Sequence, residues 1–243
     1  MKGTFKFYQR ALIAFIIFLL FAIWGFWPSY FSRLFADMNV RLHLHGIGMT
    51  LWCMMLVGQA FLAMTKRNSL HHQLGKVSYL LVPFMILSTI NLLQFTLKQA
   101  QPSNITFYFA ALVLNALIAF LILYGLAIKN RKNHVLHSRF MICTVLPMVT
   151  PITDRLIYRY LRPLTQYAPK IDDRVPIVPI YGFVLADLLL ITLIFINWKD
   201  QNKRQPFFIA LIVMVIYHFS VLNFYKYNFW QSFSKWFMSL PMI

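Results

Sequence analysis

Seven long apolar runs decide what this chain can become. A membrane-spanning helix needs about 20 consecutive, mostly apolar residues. Segments at Ala11–Trp27, Leu42–Met64, Val77–Leu97, Ile105–Ala127, Ser138–Ile157, Pro176–Trp198 and Pro206–Phe224 meet that requirement. Of the 243 residues, 60% are hydrophobic and only 12% are charged, about half the charged share of an ordinary soluble domain. A soluble fold of this length has too little interior to hide so much apolar surface. The sequence therefore predicts an all-α integral membrane protein. It is one domain spanning residues 1–243, a bundle of seven transmembrane helices set in the lipid bilayer.

The charge is lopsided: 23 Lys and Arg against six Asp, with no Glu, for a net +17. On a soluble protein that balance would point to nucleic acid. Here the cations are dealt out between apolar runs rather than gathered on one solvated face, so no nucleic-acid partner is expected. Lys and Arg collect on the cytoplasmic side of membrane proteins. The N-terminus and the even-numbered connections carry 13 of them and the opposite side 10, which places the N-terminus in the cytoplasm of a cell whose inner membrane holds the protein. Lys2, Lys6 and Arg10 before the first run resemble the start of a signal peptide. The small residues Ala22 and Gly25 are three apart among Ile23, Trp24 and Phe26, so no small-x-small cleavage site follows and the segment is read as a retained helix. Cys53 and Cys143 each lie inside an apolar run with no CxxC, and are read as packing thiols. After Phe224, seven aromatic residues crowd positions 225–237 beside Lys226 and Lys235. This tail fits either a short interfacial helix on the membrane surface or a frayed end of the seventh span.

Polar groups inside apolar runs carry the functional information, because an ionised group near the bilayer centre costs roughly 2.5–3.5 kcal/mol. Asp187 and His218 fall near mid-depth of the sixth and seventh runs, and a contact between them would satisfy both. That contact serves either packing or a proton-linked or ligand-binding role. In the second run His45, Trp52 and Gln59 are seven apart, two helical turns, and so share one face. Gly46 and Gly48 leave room for another helix to approach. His71 and His72 open the third run. His134 and His137 open the fifth, with Asn133 as a natural N-cap. His72 and His137 lie on the same predicted face, where two imidazoles suit a metal ion or both axial sites of one haem b. An uninterrupted fifth helix would also place His137, Thr144, Met148 and Arg155 on one side. Pro147 and Pro151 interrupt it, freeing backbone carbonyls ahead of Asp154 and Arg155. Arg155, Arg159 and Arg162 at i, i+4, i+7 would form a basic stripe suited to lipid headgroups or haem propionates. Asn91, Gln94, Tyr108 and Asn115 are read as packing hydrogen bonds.

In order, the chain shows His45-Gly46, Trp52, Gln59, then His72-Gln73-Leu74-Gly75-Lys76, then His137-Ser138-Arg139-Phe140-Met141, and then Pro151 with Asp154-Arg155. Read from His71, the second of these gives H-x-x-L-G. This order resembles a group of bacterial multi-pass membrane proteins classed as a domain of unknown function. There, His-Gly opens the second helix, H-x-x-L-G or H-x-L-G the third, and H-x-R-x-M a later one. The resemblance covers residues 42–155 and implies architecture and positions rather than a reaction. A looser similarity links the chain to cytochrome-b561-like and haem-synthase-like proteins, whose histidines on different helices hold haem. No histidine in the fourth run partners His45, so one bis-histidine haem is the most this chain supports.

Three functions follow as expectations. The first is electron transfer or cofactor handling through histidine-bound haem or metal, with His72, His137, His45 and Arg155 as the site and a quinone or redox protein as partner. The second is a proton-linked transporter or small-ligand-binding protein built on Asp187 and His218; Gln59 and Asp154 are further candidate polar residues of the chain. The third is metal-dependent hydrolysis through His45, Asp154, Asp187 and His218. It lacks an HExxH motif, and the depths of its residues differ.

Overall fold

A computed structural model describes residues 2–36 and 39–241, with backbone alone at residues 2–4. Asp37 lies outside the described residues. Among these, seven segments are long and apolar enough to cross a membrane. The helices are α1 (Lys2–Phe26), α2 (Val40–Met64), α3 (Asn68–Lys98), α4 (Asn104–Lys129), α5 (His134–Cys143), α6 (Leu146–Tyr160), α7 (Pro179–Ile196), α8 (Gln201–Asn223) and α9 (Asn228–Ser239). The fifth span is α5 and α6 together. The long connection before α7 carries a short 3₁₀ segment, Arg162–Tyr167, and a two-stranded antiparallel ribbon of β1 (Lys170–Ile171) and β2 (Val175–Pro176). The chain divides into two compact units, one up to Leu93 and one from Gln94 on.

Helix ends run past the apolar runs because capping and charged residues extend them. α3 begins at Asn68, nine residues before the run that starts at Val77. The His71-His72 motif is therefore helical rather than a connection. α4 opens on a capping box, in which the Ser103 hydroxyl accepts from the Thr106 N–H and the Thr106 hydroxyl accepts from the Ser103 N–H. Asn133 caps α5 by accepting from the Val135 and Leu136 N–H groups. Asp200 caps α8, accepting from the Lys203 N–H at 3.2 Å and holding the Lys203 ammonium at 2.5 Å.

The fifth span breaks at Thr144-Val145. Pro147 then falls in the first turn of α6, where a missing N–H costs no hydrogen bond. The expected shared face of His137, Thr144, Met148 and Arg155 is corrected on both sides of this break: Thr144 and Met148 are buried, while Arg155 is exposed. The expected basic stripe is also interrupted. α6 ends at Tyr160, and Arg162 starts the 3₁₀ segment instead.

In the first unit α1 packs along α2. Tyr30, 4% exposed, lays its ring over Gly46. A Cβ there would sit 2.3 Å from the ring, so the glycine after His45 is a packing requirement. In the second unit α6 packs on α7, α7 on α8, and α4 on α5, α6 and α8. α7 buries Phe183, Ala186, Leu190 and Ile194, while Val184, Leu185, Leu188 and Leu189 face outward. That division is what a bundle helix against lipid requires.

Candidate functional site

The first unit holds a polar seam between α2 and α3. His45, Trp52 and Gln59, seven residues apart, all turn into the unit. Trp52 is fully buried. The His45 Nδ1 lies 3.1 Å from the Thr89 hydroxyl. That hydroxyl already donates its proton to the Met85 carbonyl at 2.6 Å, so the imidazole must be the donor and Nε2 keeps its lone pair. About four turns further along α2, the Gln59 amide donates to the His71 carbonyl at 3.1 Å, and the His71 Nδ1 donates to the Gln59 carbonyl at 3.3 Å. The histidine of the pair that faces the neighbouring helix is His71. His72 is exposed, and its Nδ1 donates to Asn68 of its own helix at 2.9 Å. His43 stands edge-on to the Tyr30 ring.

The second unit carries the remaining candidates. His137 is half-buried and donates from Nδ1 to the Ala127 carbonyl at the end of α4, at 2.9 Å. Arg139, which the sequence marks only as part of a motif, is 5% exposed and donates to the Val135 carbonyl at 3.0 Å. Its guanidinium is within electrostatic range of Asp200. Asp187 and His218 meet: Nδ1 lies 3.1 Å from Oδ2. The His218 ring stacks on Phe183, with centroids 4.2 Å apart. Its Nε2 and the Asp187 Oδ1 are both buried without a hydrogen-bond partner.

Beside this pair sits a second polar group. Asp154 lies within electrostatic range of the hydroxyls of Tyr108, Tyr217 and Tyr158. The Tyr217 hydroxyl faces Thr150. Asp154 Oδ1 and the Tyr108 hydroxyl are buried and unpartnered. Asn115 donates to the Ser220 hydroxyl at 2.9 Å, so it is a packing contact. Arg155 turns outward and donates to the Pro151 carbonyl at 2.8 Å. Nothing in the sequence singles out Tyr217, because a lone tyrosine in an apolar run carries no spacing signal.

Five histidines, His45, His71, His72, His137 and His218, thus share one arrangement. Each commits Nδ1–H to an oxygen. Four of these five bonds reach beyond the histidine's own helix. Among the described residues, no group of three or more His, Cys, Asp or Glu side chains is placed to hold a metal ion. Comparison with family models, curated proteins and solved structures finds no match to the chain. The fold and site define an all-α multi-pass membrane protein with histidines held in one tautomer.

Proposed function

We propose that this is a membrane haem protein in which histidine Nε2 atoms are the axial ligands, serving electron transfer or cofactor handling. The carrying observation is the tautomer lock. Ligating histidines characteristically give their other ring N–H to a carbonyl or carboxylate, which fixes the ring and raises its basicity. A protein-held metal ion needs about three or four side-chain ligands, whereas haem needs only one or two axial ones. The histidine inventory therefore suits haem b better than a bare ion. His71 is preferred to His72, because its lock crosses to α2 while the His72 ring is exposed. Taken unit by unit, His71 and His45 are the locked histidines of the first that suit a haem, and His137, with Arg155 as a cation suited to a propionate, is the candidate of the second.

The test is the absorption spectrum of protein expressed with ample haem, oxidised and then dithionite-reduced. Soret and α bands are expected in the parent. They should weaken or shift in His71→Ala or in His137→Ala and be kept in His72→Ala. A parent without bands defeats the reading.

A second reading, a proton-linked transporter or small-ligand-binding protein, is favoured by the unpartnered His218 Nε2 and Asp187 Oδ1 at mid-span. Buried polar atoms of this kind in a membrane mark proton or ligand paths. In proteoliposomes Asp187→Asn should abolish proton flux. Flux equal to the parent's would count against this reading.

A further inference from the structure

α9 has two apolar stripes, and the bundle covers one of them. The inner stripe of Trp230, Ser234 and Phe237 is buried. Trp230 Nε1 donates to the Phe107 carbonyl at 2.9 Å, and the Lys235 ammonium stands 5.9 Å from the Phe107 ring centre. The Gln94 amide donates to the Leu240 and Pro241 carbonyls at 3.0 and 3.1 Å, and Lys98 donates to Leu240 as well. These bonds fix α9 to the start of α4 and the end of α3. They also settle the two sequence readings of the tail in favour of a separate helix.

The outer stripe is Phe229, Phe233 and Trp236, 59%, 36% and 56% exposed. Spacings of four and three put these rings on one helical face. The seventh span ends at Lys226 and α9 starts at Asn228, so the helix sits where hydrocarbon gives way to headgroups. Aromatic rings concentrate at that level. No acidic residue occurs from 201 to 243, and Lys226 and Lys235 flank the stripe, which gives this surface a charge complementary to lipid phosphate.

We propose that α9 is a membrane-surface helix. Its outer aromatic stripe seats in the phospholipid headgroup layer, and Lys226 and Lys235 bind phosphate there with a preference for anionic lipid. The two native cysteines are buried, so a nitroxide at Ser232→Cys, on the outer face, reports this surface alone. The full chain is reconstituted in phosphatidylcholine vesicles with and without phosphatidylglycerol. Collisions with dissolved oxygen should exceed those with a water-soluble nickel chelate. Phosphatidylglycerol should widen that difference, and the double variant Lys226→Gln, Lys235→Gln should remove the widening while Trp230 and Gln94 keep the helix docked. Nickel collisions exceeding oxygen would overturn the proposal. So would exclusion of both probes in a chain that runs as a dimer, since a second copy would then cover the stripe. Equal behaviour in the two lipids would overturn the lysine assignment.

Discussion

Gly182 has no room for a side chain. A Cβ there would lie 2.7 Å from the Thr150 Cα and 2.5 Å from the Thr153 hydroxyl. The Thr150 contact is backbone and cannot rotate away, so α6 and α7 would have to part. Overpacking of this kind costs about 1–3 kcal/mol, against a helix-propensity gain of about 1 kcal/mol for replacing glycine by alanine. Gly182→Ala should therefore lower the unfolding midpoint in detergent. Gly125→Ala, whose Cβ meets nothing within 4 Å, should leave it level or raise it. Similar shifts for the two variants would refute this account. At this scale the sequence is partly legible. His45, Trp52 and Gln59 share a face because their seven-residue spacing survives any choice of helix start. The choice between His71 and His72 depends on phase, and phase depends on a helix start at Asn68 that hydropathy places nine residues late.

The helix ends explain most differences between expectation and structure. Hydropathy sees α8 from Pro206, yet the helix starts at Gln201 because Asp200 caps it and its first turn is polar. The Lys203 side chain, hydrogen-bonded to Asp200, holds that carboxyl below the ordinary aspartate value of 3.8. The group binds its proton less readily folded than unfolded. The stabilisation from the cap is thus complete above pH 3.8 and disappears as pH falls through the lowered folded value. The midpoint gap between the parent and Asp200→Asn should therefore narrow as the pH is taken down through that range. A gap that stays constant would show that the charge on Asp200 plays no part. Prolines are as informative as caps, but the position of a break is not read from them directly. Pro147 follows the break at Thr144-Val145 rather than marking it, since the first turn of a helix is the place proline tolerates.

Across the whole molecule the seven spans are legible because lipid leaves no alternative: unpaired backbone cannot face hydrocarbon. Mid-span Asp187 and His218 are legible as a pair for the same reason, each being too costly alone. What is not legible is which helices meet out of sequence order. The approach of α4 to α6 and α8, which gathers Tyr108, Asp154 and Tyr217, depends on side-chain packing that no periodicity encodes. The broken fifth span bears on how the protein is made. It is the least apolar of the seven and the most buried. A segment leaves the translocon for lipid on its own hydrophobicity, and this one has the least to offer. Its partner α7 emerges later in synthesis, so integration of the fifth span is expected to lean on entry of the sixth.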